Sequence, residues 1–435
     1  MWGAHWVIHL EKRGMPGVYI VDEPFKADVQ ATCDKEGMPL LRRVIVPHPC
    51  GGISDEQLPK IISQLLTGLT EPLTKEEQYP IAKEVEKPSR IIFKGNLEEV
   101  NRFFYEKEWT DGLPILPPTE EKVREMLKGT RHSHEEIVTT NMLPEGCTVT
   151  VEKVATVGAM AGCEPEYMPV LLSIVEAFAN DIFSSLVRST TSFSFAIIVN
   201  GPIARQIGMN SGMNALGSGT GNKANATIGR FLRLAIICLG GSKSGLNDMS
   251  SQGNPSKYSF AFAENEEKSP WKPFHVSLGY KLDESVLSIL GGGWSHSGPF
   301  GHVDLDQIAK SITTYELPTG VLVIMDPMSA KKVSTKGYTK QEAEEYIWSH
   351  ATKTAAEFKA DFFYPAFIEP VLKGKPWNEM KGIWPPHYLD LPSDESVQVF
   401  PRETVRIVVV GGETNPYTQV WQMSRPSSVI IDKWR

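Results

Sequence analysis

The chain has 435 residues, 41% apolar and 22% charged, with a formal net charge of -8. That is enough for two or three soluble domains, and the acidic balance excludes a general nucleic-acid or anionic-membrane partner, which needs a basic surplus. No apolar run reaches the ~18 residues of a membrane-spanning helix, and the five cysteines show neither CxxC nor CxxH spacing, which excludes a disulfide framework and a zinc site.

The amino terminus lacks the basic start and long apolar core of a signal peptide, so the cytoplasm is the expected compartment. Trp2 to Lys12 carries Trp6, Val7 and Leu10 at helical spacing. Val18–Val21 predicts a strand, Lys26–Glu36 a helix and Val44–Val46 a second strand. Asp55 then opens a third helix, with Leu58, Ile61, Ile62, Leu65 and Leu66 as its core face. This alternation is that of a parallel sheet, so residues 1–75 predict a partial flavodoxin-like or Rossmann-like α/β segment. Two strands cannot make a covered parallel sheet. Either the segment is an appendage packed on the main domain, or another chain or an upstream stretch supplies the first strands.

The stretch VIHLEKRGMPGVYIVDEPF, followed by GMPLLRRVIVPHPCGGIS, resembles the carboxy-terminal half of the UGSC-motif (seleno)protein family. Those proteins carry Gly-Ser-Cys, preceded by cysteine or selenocysteine, just before the helix that leads to an E-x-x-G-[IM]-P turn. The reactive residue in that motif resembles the selenocysteine site of the glycine, sarcosine and betaine reductases. The motif itself is absent from this sequence. The resemblance therefore implies a reactive cysteine or selenocysteine from a small partner subunit, or from a segment upstream of Met1 read through an in-frame UGA. Cys50, ending the second strand, is then a candidate resolving thiol.

Residues 76–90, rich in Glu, Lys and Pro, predict a linker, and residues 91–435 a larger mixed α/β domain for substrate binding and catalysis. Its segment EWTDGLPILPPT, residues 108–119, is similar to one that recurs in proteins fused to, or encoded beside, the UGSC half. Asp111, before Gly112, reads as a turn residue, with a catalytic role as the alternative. Thr119 reads as a helix N-cap.

Val149–Val157 predicts a strand, Gly158–Cys163 a small-residue turn and Glu164–Phe178 a helix. Cys163, just before that helix, sits where a dipole stabilises a thiolate and is the candidate reactive thiol; a space-filling buried cysteine is the alternative. Cys147 and Cys238 read as core. Arg188, in a polar loop, is a candidate carboxylate clamp or an ordinary exposed arginine. The predicted strand Phe193–Val199 then leads into Val199–Arg230, dense in glycine and asparagine, and on into an apolar helix, Ile228–Leu239. Backbone N–H groups in such loops hold anions and polar substrates. Asn200, Asn210, Ser211, Asn222, Asn225 and Arg230 are accordingly candidate substrate-binding residues. The glycine order matches neither nucleotide-binding fingerprint.

Ser256–Ala263 alternates like a strand and delivers Glu264, Glu266 and Glu267, with His275 beyond. Partial burial raises a carboxyl pKa toward neutrality, so Glu264 and His275 are candidate acid–base groups, Glu266 sharing a face with Glu264. A solvated acidic turn is the alternative, and the expected one for Glu267. Leu290–His302 predicts a second glycine-rich loop, whose His296 and His302 are candidate metal ligands, without the spacing of a known metal motif. Thr319–Met325, Val405–Val410 and Ser428–Asp432 predict strands and Thr339–His350 a helix, and no internal repeat is visible. Strands ending in Gly-, Asn- and His-rich loops place the chemistry on one rim of a sheet.

These features point to an enzyme acting on a small polar or anionic organic substrate. The resemblance implies thiol- or selenol-dependent cleavage of a carbon–heteroatom bond, with the cysteine or selenocysteine supplied from outside. A non-redox lyase or hydrolase using Glu264 and His275, with or without a metal, is one alternative; a non-catalytic scaffold subunit is another. The expected state is an oligomer or heteromeric complex, without nucleic-acid or membrane partners.

Overall fold

Strands β1 (Tyr19–Asp22) and β2 (Arg43–Val46) pair in parallel, Tyr19 opposite Arg43. The helices Trp2–Glu11 and Lys26–Lys35 cover one face through Ala4, Ile8, Val21, Val29 and Cys33. Ile20 and Ile45 are exposed on opposite faces of this pair. The predicted third helix forms as Leu58–Thr70, but its apolar face is no core: Leu58, Ile62, Leu66 and Leu69 are exposed. Two strands are too narrow to bury a helix on each face, and they specify no flavodoxin or Rossmann strand order. The computed structural model describes residues 2–48, 52–78, 89–297, 304–315, 319–374 and 383–435. Most of the predicted linker, residues 79–88, falls outside them.

Further along, β3 (Ile137–Met142) and β4 (Cys147–Thr150) form an antiparallel pair. The next segment, predicted as strand to Val157, is a helix, Val151–Ala161, ended by Gly162 at φ 86°. Val151, Val154, Val157 and Met160 are buried there, between the helices Glu120–Leu127 and Lys223–Cys238. Valine's strand preference spans only ~1 kcal/mol, against ~1.5–3 kcal/mol for each large side chain buried. Packing decides.

The central sheet has β5 (Ser194–Asn200), β6 (Ala261–Ala263), β7 (Val286–Ser297) and β8 (Val321–Met325). Beside it β9 (Thr352–Thr354) and β10 (Ser396–Gln398) pair with each other. The strands β11 (Val405–Val409), β12 (Thr418–Met423) and β13 (Ser427–Ile430) complete the sheet, in the order β11-β8-β12-β7-β5-β6 with β13 also on β7. The molecule is a mixed α/β protein. Where a second glycine-rich loop was predicted, β7 continues through Gly291–Gly293. A Cβ at Gly292 would stand 2.1 Å from the Gln422 carbonyl oxygen, so glycine admits the close approach of β12 at a bulge.

One plan occurs twice: a strand, a short helix, a long helix, a parallel strand outside and an antiparallel strand inside. First come β5, Pro202–Gln206, Lys223–Cys238, β6 and β7; then β8, Pro327–Thr335, Lys340–His350, β11 and β12. The repeat lies in topology, which many residue sets satisfy, and so leaves no repeat in the sequence. Alternation along the strands sorts the side chains. Ala196, Ile198, Phe262, Leu290, Ile324 and Val408 share one inner cluster. Their neighbours Ile197, Val199 and Ile289 face the helices of the first half, and Val323, Met325 and Ile407 those of the second. The sheet curls until its edges touch: Asn265, just past β6, donates its N–H to Val409 of β11 at 2.7 Å and its amide to Gly411 at 3.0 Å. Among the described residues no single helix is long and apolar enough to cross a membrane.

Leu66→Ala is expected to change the unfolding free energy by less than ~0.5 kcal/mol. Leu171→Ala, fully buried in the helix Met168–Phe178, should cost ~2–5 kcal/mol. Urea unfolding measures both, and a core-sized loss at Leu66 would show that its face is covered in solution.

Candidate functional site

The site begins where two parallel strands end side by side. The Glu264 N–H donates to Val199 at 3.3 Å, so Asn200 and Glu264 leave neighbouring strand ends together. Asn200 Nδ2 donates to Glu264 Oε2 at 2.6 Å and to Glu266 Oε1 at 2.9 Å. Each carboxylate also accepts one backbone N–H, Glu264 from Phe274 at 2.5 Å and Glu266 from Gly201 at 2.7 Å. Gly201 stands at φ 83°, and a Cβ there would lie 2.3 Å from the Glu284 carbonyl oxygen, so this turn requires glycine. His275 follows Phe274 in a short helix, its Nδ1 3.9 Å from Glu266 Oε1.

The second half contributes Lys340. Thr339 and Glu342 form a capping box that starts the helix Lys340–His350. That start places Lys340 Nζ 3.7 Å from Glu264 Oε1 and 5.3 Å from the centre of the Phe274 ring. One turn on, Glu344 accepts the Ile407 N–H at 2.8 Å. Burial raises its carboxyl pKa, against the opposing charge of Lys340.

Asn200, Glu264 and His275 are at most 4% exposed and Lys340 is 7% exposed. Yet Asn200 Oδ1, Glu264 Oε1, both ring nitrogens of His275 and Lys340 Nζ make no hydrogen bond. A buried polar group left unpaired costs ~1–3 kcal/mol, and more when charged. Five such atoms in one cluster are costly for a purely structural core. Chemically the cluster offers a carboxylate with a free oxygen, an imidazole with both nitrogens free and an amine. Side chains of these types can accept and donate protons.

The other sequence candidates lie elsewhere. Asn210 donates to Met213 and Asn222, Asn222 to Asn214 and Gly217, and Asn225 to Asn210 and Ala215. Their side-chain oxygens accept as well, from Gly212, Asn210 and Asn210 respectively. These amides build the loop, and none has donor capacity left for a ligand. Ser211 accepts the Gly411 N–H at 2.8 Å. The loop and that strand end line a cavity of about 370 Å³ with Asp326, Tyr417 and Gln419. Arg230 clamps Asp111 through two bonds of 2.8 and 3.0 Å and so fixes the TDGLP turn. Cys163 is a buried thiol donating to the Thr227 carbonyl, and burial pushes its pKa up to about 12, as it does for Cys238. Of the two readings of Cys163, this burial fits the space-filling cysteine better than the dipole-stabilised thiolate.

Arg188 meets the amino-terminal segment. It contacts His5 Nε2 at 3.3 Å and donates to Glu145 at 2.9 Å and to the Pro144 carbonyl. Nearby Asp28 is buried with neither oxygen hydrogen-bonded, and burial pushes its pKa up to about 6, more than the Arg188 charge lowers it. His296 stands in β7 opposite Val420; His302 and Cys50 fall outside the described residues. Among the described residues no three His, Cys, Asp or Glu side chains converge as a metal set. Sequence reasoning missed Lys340. Its signal was a cation in the first turn of a strongly capped helix, where the dipole opposes it.

Comparison with known proteins matches residues 3–75 to the UGSC family, a likeness confined to the amino-terminal segment. No curated protein matches the chain, and no solved structure does.

Lys340→Met should cost ~3–5 kcal/mol by leaving Glu264 buried without its cation, and adding Glu264→Gln should restore most of that loss. Denaturant unfolding of the single and double variants tests the coupling. Asp28→Asn should raise the unfolding midpoint at pH 7.5. Because the folded state favours the neutral acid, the wild-type penalty is full above pH 6, and the gain should fade as the pH drops from 6 toward 4. A gain that persists at pH 4 would discount the buried carboxylate as its source.

Proposed function

We propose that the chain is an enzyme performing acid–base chemistry on a small polar or anionic organic molecule. The observation that carries this reading is the set of unpaired buried atoms on Asn200, Glu264, His275 and Lys340. Glu264 is the proton acceptor, held in orientation by the Asn200 amide and the Phe274 N–H. His275 is the second proton-transfer group. Lys340 supplies positive charge, or a proton, where negative charge develops on the substrate. Asn200 positions both carboxylates, and Glu266 sets the placement of Asn200 and Gly201. The reaction class is that of a lyase or hydrolase working by proton transfer. The buried Cys163 thiol, bonded to the Thr227 carbonyl and raised in pKa by desolvation, favours this reading over thiol chemistry at that residue.

A second reading keeps thiol- or selenol-dependent cleavage, with the reactive group on a partner chain and the Glu264 centre binding the substrate. It is favoured by the match of residues 3–75 to the UGSC family and by the Arg188–His5 contact, which joins that segment to the larger part.

Thermal unfolding against a panel of small hydroxy, amino and keto acids tests the first reading. At least one should stabilise the wild type, by ~2.7 kcal/mol at a hundredfold excess over its dissociation constant. The shift should vanish in the Glu264→Gln/Lys340→Met double variant while it keeps its far-ultraviolet circular dichroism. A panel without effect, or a shift retained in the double variant, would remove the centre as the binding site.

A further inference from the structure

We propose that Lys340 is a nucleophile that forms an imine with a small aldehyde or ketone, which makes a carbonyl compound the substrate class of this centre. This rests on the acid–base reading above and adds a covalent step to it.

Lys340 Nζ has no hydrogen bond, and its nearest carboxylate oxygen stands at 3.7 Å, beyond hydrogen-bond reach. One side of the amine is the Phe274 ring. A lysine withdrawn from water beside apolar surface is the form in which the amine acts on carbonyl carbon. A lysine kept only as a structural cation would be expected to close a bond with Glu264, whose Oε1 is equally unpaired. The two atoms face each other with their bonding capacity unspent. His275, with both ring nitrogens free, adds a group that can accept and return a proton. Asn265 ties the Glu264 strand end to Gly411, which lines the 370 Å³ cavity, so that cavity lies next to the centre without being lined by its four residues.

The step balances without an outside reagent. Glu264 Oε1 takes one proton from the ammonium, and the freed lone pair attacks the carbonyl carbon while the C–O π pair moves onto oxygen. His275 carries a second proton from nitrogen to that oxygen, giving the carbinolamine. Glu264 returns its proton to the hydroxyl, the C–O bond breaks, and water leaves. Two of the three ammonium protons depart in the water and one stays on the protonated imine. Nothing is oxidised or reduced.

Reductive trapping tests the step on the full chain. The protein is incubated with pyruvate, glyoxylate or glycolaldehyde and cyanoborohydride, and followed by intact mass and peptide mapping. The expected result, with at least one probe, is a saturable adduct on Lys340, heavier by the carbonyl compound less one oxygen atom. It should be absent in Lys340→Arg and to form about 100-fold more slowly in Glu264→Gln. Labelling spread over exposed lysines, with Lys340 no faster than the rest, overturns the imine, as does an adduct whose rate ignores Glu264. If acids shift the melting but no carbonyl probe is trapped, the imine falls and the acid–base centre stands. If neither is seen, both fall.

Discussion

Asn200 divides its two amide hydrogens between Glu264 and Glu266, and much of the molecule is arranged so that it can. The division needs two strand ends in parallel register, which β5 and β6 supply. It needs a chain reversal directly after Asn200 with its N–H turned toward Glu266, which only a glycine at φ 83° can make against Glu284. It also needs the segment after Glu266 to fold back, so that the Phe274 N–H reaches Glu264 and His275 is brought inside. Two carboxylates sharing one amide, one buried and one partly exposed, repel each other when both are charged. Fixed dipoles from one amide and two backbone N–H groups are what hold them there.

The duplicated plan explains why the charge that balances this pair comes from so far along the chain. Each half ends its first strand in an amide or acid side chain, Asn200 in one and Asp326 in the other. In each, the parallel neighbour's next N–H closes onto that strand, Glu264 onto Val199 and Val410 onto Met325. In the second half Asp326 is consumed as a cap: its oxygens accept from the N–H groups of Met328, Ser329 and Tyr417. Its partner position holds Val410, which is apolar and buried. One copy has become packing, and the other keeps unmet polar groups. Because the sheet curls until β6 touches β11, a helix start in the second copy can reach the polar end of the first. The site is thus a product of the closure between halves.

The elements legible in the sequence were those whose cause is local. Thr119, Thr339 and the Val405–Val409 run announced themselves through capping and a largely apolar sequence. That Glu264 stands at a strand end was legible from the alternation of Ser256–Ala263; that it and His275 are buried was not, since a solvated acidic turn fitted the same residues. Misread segments were those whose cause lies across space. The valines of Val151–Ala161 are helical because two other helices bury them. The glycines of β7 are strand residues because β12 passes close by. Leu58–Thr70 has the periodicity of a buried face and the exposure of a surface one, since the two strands beside it do not cover it. Lys340 could not be paired with Glu264 from spacing alone, as their meeting depends on how the two halves close.

The asparagine-rich loop sharpens what separates a builder from a site. Each of Asn210, Asn222 and Asn225 gives both amide hydrogens to nearby oxygens, mostly loop carbonyls, and accepts on its oxygen. A buried irregular segment must satisfy its carbonyls without a ladder to do so, and asparagine supplies two donors per residue at short reach. That need alone accounts for the composition that looked like substrate recognition. Asn200 belongs to the same stretch and differs in one respect: its oxygen is buried and bonded to nothing. Composition is shared by the four residues and unmet capacity is not, so unmet capacity is the better guide to where a ligand would be held. By that measure the loop is the wall of the cavity, and the neighbouring polar centre of Asn200, Glu264, His275 and Lys340, with its unmet polar atoms, is the place the proposed chemistry is assigned to.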